Sequence, residues 1–173
     1  MESPVSTILF ATNLSENCIP AFDFAGSMAT RYEARLLLLH VIEDMPVYVE
    51  GRLKGLFGKK EWERIKQTHE DSARQSLTGK RSTSALIRAA LDRLCNDAGI
   101  EASASHGVCR EVVVGHGEIV EEIIAQAEGN GADMIVLGAK EGALLSKVSI
   151  GNTIKGVLRA AKVPVMVVPA IKR

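Results

Sequence analysis

The chain has 173 residues, the length of one ordinary domain and enough to enclose a substantial core. Apolar residues make up 46% and charged residues 24%, a balance that excludes a disordered or membrane-embedded protein. Its 21 basic and 21 acidic residues give zero formal net charge, so we expect no broad attraction to nucleic acid or to anionic lipid.

The compartment is indicated by the amino terminus and by the cysteines. The opening residues, MESPVSTILFATN, lack the basic flank and the long apolar core of a signal peptide. The longest apolar runs are too short to span a membrane. Cys18, Cys95 and Cys109 are odd in number and share no CxxC spacing. These features favour a reduced, cytoplasmic setting.

The first part of the chain predicts a strand, a helix and a second strand. Thr7–Ala11 and Arg35–Ile42 are apolar runs typical of strands buried on both faces. Between them Ser15 is the expected N-cap, and Pro20 lies in the first turns, where proline is tolerated. The buried face of this helix recurs every three to four residues and comprises Cys18, Ala21, Phe22, Ala25, Met28, Ala29 and Tyr32.

Residues 43–81 interrupt the alternation of strands and helices. No clear strand is present, and the spacing of residues from Trp62 to His69 hints at a helix. We interpret the segment as an excursion from the core, for which a partly mobile lid and a surface for a protein partner are the candidate roles. Leu56, Phe57 and Trp62 either pack on the domain's own helices or contact a partner.

The alternation resumes at Ser82. A helix with Gly99 as its C-cap, a third strand over Glu101–Val114 and a turn at Gly115–Gly117 are predicted in that order. The amphipathic helix that follows directs Glu121 and Glu122 outward.

The last unit reads as strand, loop, helix and strand. The strand Met134–Leu137 ends at Gly138, a helix opens at Gly151–Thr153, and the final strand covers Val163–Val168. A glycine permits a sharp turn at the end of a strand. A helix that begins with a glycine and small polar residues presents free N–H groups and the positive end of its dipole. This layout is typical of an anion site, most naturally a phosphate site.

Strands that alternate with helices predict one doubly wound α/β domain over residues 1–173, with a parallel sheet covered on both faces. Such sheets bind ligands beyond the carboxyl ends of the strands, where the strand order reverses. The candidate loops are therefore Thr12–Ser15, Val41–Asp44, Gly115–Glu118 and Gly138–Thr153.

The last unit also resembles the universal stress protein (Usp) family. The family's motif there is glycine, two residues, glycine, nine residues, and glycine with serine or threonine. Gly138 and Gly151 occupy the first and last glycine positions at the right separation. Glu141 replaces the second glycine, with Gly142 beside it, and Asn152 replaces the serine or threonine.

The resemblance covers nearly the whole chain, through ILFATNLSE, LLLLHVIED, EIVEEIIAQAEGNGADMIVLGAK and VPVMVVP. It implies a five-stranded sheet in the order 3-2-1-4-5 and a homodimer. The dimer would pair the last strand edge to edge, through Val165, Met166, Val167 and Val168.

The resemblance further implies that ATP or a related adenine nucleotide is bound, together with Mg²⁺. Thr12, Asn13 and the backbone of Val41 would hold the base and ribose. Asn13 stands where the family usually has aspartate. The amide of Asn13 can still form hydrogen bonds, but the change removes the carboxylate as a candidate metal ligand. The phosphates would be held by Gly138, Gly151, Asn152 and Thr153.

Other site types find little support in the sequence. Neither G-x-S-x-G nor G-x-x-x-x-G-K-[ST] occurs, and no catalytic set of acid, base and nucleophile is recognised. His106 and Cys109 alone do not complete a zinc site, so no metal site is assigned. His40 is interpreted as a satisfied core histidine.

Two functions remain open. The first is a dimeric sensor or switch that binds an adenine nucleotide, whose preference for one loop arrangement shifts the population toward it. The second is a dimeric interaction protein that acts through residues 43–81. It would have lost nucleotide binding because Glu141 places a carboxylate beside the phosphates. Enzymatic activity beyond slow ATP hydrolysis is not expected, since fold-level analogy is its only support.

Overall fold

Five parallel strands form one sheet in the order β3-β2-β1-β4-β5, which confirms the predicted doubly wound α/β fold and its strand order. The structure is a computed structural model that describes residues 5–42, 47–65, 79–99, 110–139 and 151–170. In the central register, Ile8 of the first strand lies beside both Leu36 and Met134. The strands are β1 (Thr7–Ala11), β2 (Arg35–Ile42), β3 (Arg110–His116), β4 (Met134–Ala139) and β5 (Val165–Pro169).

Helices cover both faces of this sheet. They are α1 (Ile19–Tyr32), which follows a 3₁₀ turn at Glu16–Cys18, α2 (Val47–Phe57), α3 (residues 59–65), α4 (Gly79–Asp97), α5 (Ile119–Gly129) and α6 (Asn152–Ala160). Successive residues of a strand point to opposite faces, so Ile8 and Phe10 pack with α1 to α4, whereas Leu9 packs with α5 and α6. None of the helices in the described ranges is long and apolar enough to cross a membrane.

The described part of the excursion belongs to the core. It forms α2 and α3, and both Leu53 and Trp62 are only 1% exposed within the cluster that covers β1 and β2. Leu56 and Phe57 are half-buried against the same cluster. The domain's own helices therefore account for Trp62, for which the partner alternative is wrong. Leu56 and Phe57 keep part of their surface exposed, so a partner contact for these two stays a prediction. Residue 69 of the predicted helix lies outside the described residues.

Two predicted strand ends are placed too early. β3 runs to His116, so Gly115 lies within the strand and the turn falls at Gly117, whose φ is +124°. A Cβ atom on Gly115 would lie 2.5 Å from Cγ of Glu122. Glu122 is therefore half-buried over the strand rather than directed outward as predicted, because Gly115 leaves room for it. β4 likewise continues through Gly138 to Ala139.

The helix limits also differ from the prediction. Ser15 makes no side-chain cap, because its hydroxyl donates to Oδ1 of Asn13 (2.6 Å), and α1 starts only after the 3₁₀ turn. Tyr32, predicted on the buried face, is 38% exposed at the last turn of α1. α4 starts at Gly79, earlier than Ser82. The first part of the predicted third strand, with His106 and Cys109, lies outside the described residues, as does the loop 140–150.

Candidate functional site

A cavity of about 750 Å³ opens at the carboxyl edge of the sheet. It lies where β1 is flanked by β2 on one side and β4 on the other, which is the point where the strand order reverses. Its walls combine apolar strand residues with polar loop residues. They are Ala11, Thr12, Asn13, Ser15, Asn17, Cys18, Leu39, His40, Val41, Ile42, Arg52, Gly117, Glu118, Ile119, Ile123, Leu137, Gly138, Thr153 and Ile154.

The structure brings five of the seven sequence-predicted binding residues to this cavity. They are Thr12, Asn13, Val41, Gly138 and Thr153. The two others, Gly151 and Asn152, are the N-cap and the first residue of α6 and do not line the cavity. Their place beside Thr153 agrees with the predicted helix start, and the binding role of all seven stays a prediction.

Gly138 is required by a close approach rather than by a turn. A Cβ atom at this position would lie 3.3 Å from the carbonyl oxygen of Asn17 and 3.4 Å from Cβ of Ala21. The 3₁₀ turn thus rests directly on the backbone of β4. The absence of a side chain keeps the first loop and the end of β4 together at the cavity.

The loop after β1 is held by its own side chains. The hydroxyl oxygen of Thr12 accepts from the N–H of Leu14 (3.0 Å), a residue with φ of +59°. Oδ1 of Asn13 accepts from both the N–H (3.0 Å) and the hydroxyl of Ser15. Since these bonds occupy the amide oxygen, the amide NH₂ is the end of Asn13 that stays without a partner among the described residues.

His40 is a buried residue with one unsatisfied nitrogen. It is 3% exposed, and its Nδ1 lies 2.8 Å from the carbonyl oxygen of Thr12, so Nδ1 carries the proton. Nε2 has no hydrogen-bond partner within the ranges that the structure describes. Burial lowers the pKa of His40, and the charge of Arg52 lowers it further, so the ring is neutral at pH 7. The interpretation as a satisfied core histidine is therefore correct for one nitrogen only.

Arg52 is the functional candidate that the sequence gave no reason to select. It comes from α2, in the excursion, and its Nη1 donates to the carbonyl oxygen of Asn13 at 3.2 Å. The two residues are 39 positions apart, so only the packing of α2 beside the 3₁₀ turn brings them together. Glu118, at the N-cap of α5, lines the cavity from the candidate loop Gly115–Glu118. Asn17 is a further lining residue that lies in no candidate loop.

The chemistry of the cavity is suited to binding. Burial raises the pKa of the Cys18 thiol, although a hydrogen bond with Thr12 opposes the shift, so Cys18 is a poor nucleophile. Across the described ranges, no group of three or more His, Cys, Asp or Glu residues is arranged to hold a metal ion. Apolar walls beside loop amides and one guanidinium can accept a flat apolar group joined to a polar or anionic one.

Solved structures of similar fold come from several organisms. A universal stress protein in complex with cAMP is 20% identical, with a TM-score of 0.52, and the match covers 96% of this chain and 98% of that chain. A universal stress protein family protein from Arabidopsis thaliana with AMP bound is 16% identical, with a TM-score of 0.55 and coverages of 96% and 92%. UspA from Lactobacillus plantarum is 21% identical, with a TM-score of 0.52 and coverages of 95% and 97%.

At these identities the structural likeness establishes the fold alone. A comparison with curated proteins returns no match. The family model described as "Universal stress protein family" matches residues 4–169, which is nearly the whole sequence and includes every strand of the sheet. The chain therefore belongs to the universal stress protein family.

Proposed function

We propose that this protein binds an adenine nucleotide in the cavity at the carboxyl edge of the sheet, and that the bound nucleotide acts as a signal. The observation that carries the proposal is the convergence of Thr12, Asn13, Val41, Gly138 and Thr153 on one cavity. They come from the loop after β1, from β2 and β4, and from α6, so the fold explains why they meet.

The size and lining of the cavity support a nucleotide. Its volume of about 750 Å³ lies within the usual range for small-molecule sites. Leu39, Val41 and Leu137 offer an apolar wall for a base, and the amides of the first loop offer donors. Thr153 lies in the first turn of α6, where free N–H groups and the helix dipole favour a phosphate.

The names of two structural neighbours agree with this ligand class, since one is a complex with cAMP and the other has AMP bound. Mg²⁺ would reach the site with a polyphosphate rather than on a protein cage, because the described residues contain no cluster of candidate metal ligands.

The direct test is calorimetric titration of the purified protein with ATP, ADP and AMP, with GTP as the control base. Micromolar binding of adenine nucleotides supports the proposal. Ala11→Phe would place a large side chain in the cavity and should abolish binding, whereas Ala125→Phe on the exposed face of α5 should not. Circular dichroism must verify that both variants are folded.

No binding of any adenine nucleotide at millimolar concentration would refute the proposal. The remaining function would then be that of a dimeric interaction protein without a nucleotide. Equal binding by wild type and Ala11→Phe, with both folded, would place the nucleotide elsewhere on the molecule.

We also propose that the protein forms a homodimer through β5. Within the described residues β5 pairs only with β4, so its other edge has unpaired backbone groups. Val165, Met166 and Val167 are half-buried in the single chain, which leaves apolar surface for a second copy to cover.

A further inference from the structure

We propose that Arg52 recognises the phosphate of the bound nucleotide and makes the cavity select a nucleotide over the corresponding nucleoside. This inference rests on the proposed function. It assigns a binding role to α2, the helix that begins the excursion between β2 and β3.

The position of Arg52 is fixed from two sides. Its neighbour Leu53 is 1% exposed and anchors α2 in the core. The guanidinium of Arg52 itself lines the cavity and donates from Nη1 to the carbonyl oxygen of Asn13. A guanidinium has five N–H donors in a rigid fork, so this bond leaves most of its donors available to a ligand.

Arg52 makes no ion pair with a carboxylate in the part of the chain that the structure describes. Its guanidinium donates to a neutral group, the carbonyl oxygen of Asn13. Among the other cavity residues, His40 is neutral and Cys18 is a thiol. Arg52 therefore supplies the positive charge at this wall, with Glu118 as the lining carboxylate.

Asn13 strengthens the preference for an anion. Because its Oδ1 is occupied by Ser15, Asn13 has only its amide NH₂ left, which is a donor. An aspartate at this position would add a negative charge to the residue whose carbonyl oxygen Arg52 contacts, and this charge would oppose the binding of a phosphate. The amide NH₂ of Asn13 and the guanidinium of Arg52 are thus donors at one wall of the cavity, an arrangement that fits a phosphate.

This wall is close to the expected phosphate end of the site. The 3₁₀ turn after Asn13 rests on the backbone of β4, since a Cβ on Gly138 would lie 3.3 Å from the carbonyl oxygen of Asn17. A phosphate between the first loop and the end of β4 would also lie near the start of α6, where Thr153 lines the same cavity.

The experiment compares calorimetric affinities for AMP and adenosine in wild type, Arg52→Gln, Arg52→Lys and Arg31→Gln. Arg31 is the matched control because it is exposed in the last turn of α1, at the opposite edge of the sheet from the cavity. For Arg52→Gln we expect AMP affinity to fall by about tenfold or more and adenosine affinity to stay unchanged, because a charge-assisted hydrogen bond contributes about this factor. Arg52→Lys should recover part of the loss, and Arg31→Gln should bind as wild type does.

Two further measurements identify the interaction as ionic. The AMP affinity of wild type should fall with added salt, and Arg52→Gln should flatten that dependence. Asn13→Asp should reduce the ratio of AMP to adenosine affinity, because its carboxylate would repel the phosphate. Inorganic phosphate should compete with AMP in wild type and should compete less in Arg52→Gln. If phosphate competes but adenosine does not bind at all, the cavity is a phosphate site rather than a nucleotide site.

The proposal is overturned if Arg52→Gln weakens AMP and adenosine equally, because Arg52 would then only support the loop at Asn13. It is also overturned if AMP affinity is unchanged, or if wild type binds adenosine as tightly as AMP. A wild type that binds neither compound refutes the proposed function itself, which separates the two failures.

Discussion

Trp62 tests whether the excursion contributes to the stability of the whole protein. It lies in α3, is 1% exposed and belongs to the cluster that covers β1 and β2. Replacing Trp62 with alanine should therefore destabilise the fold strongly. A lid that merely lay on the surface would tolerate the same change.

The magnitude follows from the buried area. A tryptophan buries about 200 Å², which at about 25 cal/mol per Å² corresponds to about 5 kcal/mol as an upper bound. Alanine retains part of this area, and the cavity left behind adds a penalty, so Trp62→Ala should lower the free energy of unfolding by about 3–5 kcal/mol. The indole N–H of Trp62 has no hydrogen-bond partner among the described residues. Trp62→Phe removes this unsatisfied donor and should cost much less, about 1 kcal/mol.

The assay is urea unfolding followed by far-ultraviolet circular dichroism, because Trp62 is the one tryptophan of the chain and its replacement removes the fluorescence probe. Phe24→Ala is the matched control, since Phe24 is 52% exposed and its loss should change stability by less than about 0.5 kcal/mol. A loss below about 1 kcal/mol for Trp62→Ala would refute the assignment of α3 to the core. Equal losses for the alanine and phenylalanine variants would refute the reasoning about the unsatisfied N–H.

Three further changes test other parts of the structure. The fold lowers the pKa of His40 below its ordinary value of 6.5. The contribution of neutral His40 to stability is therefore complete above about pH 6.5 and is lost as the pH falls below that value. His40→Gln should weaken the acid dependence of the urea midpoint. Gly156→Ala would place a Cβ atom 2.7 Å from Cγ2 of Val120. This overlap should destabilise the protein by about 1–2 kcal/mol, although alanine has the better helix propensity. Adding Val120→Ala should restore part of the lost stability. Val167→Lys should convert the proposed dimer to a monomer in light scattering, whereas Lys162→Ala should not.

Each of these expectations has a contrary result. An unchanged pH profile in His40→Gln would mean that other groups control acid sensitivity. A fully stable Gly156→Ala would mean that α5 and α6 separate without penalty. An intact oligomer in Val167→Lys would place the dimer contact away from β5.

The strands were accessible from the sequence because local patterns report burial directly, whereas their order in the sheet was implied by the resemblance to the universal stress protein family. Continuous apolar runs such as Leu36–Leu39 occur where both faces of a parallel strand are covered, and β1 and β2 have the predicted bounds. Strand ends that depend on a neighbour were misplaced. Gly115 and Gly138 read as turns, yet each lies within a strand because another element approaches its backbone closely.

The excursion was the least predictable segment. Its helices are too weakly amphipathic to be recognised alone, and their burial depends on a surface built by β2, α1 and α4. The sequence therefore left two interpretations of Trp62 open, a core residue and a partner contact. Arg52 was missed for the same reason, since nothing in its own neighbourhood indicates that it contacts residue 13.

By itself the sequence determined the fold class and the order of the elements along the chain, because these depend on hydrophobic periodicity. The resemblance to the universal stress protein family indicated five residues that line the cavity. The tertiary structure decided which chemical groups those residues present. Only three-dimensional contacts join Nδ1 of His40 to the carbonyl oxygen of Thr12 and bring Arg52 to the wall. The physical reason is that hydrogen bonding and charge compensation depend on distances between segments remote in sequence, which no local pattern encodes.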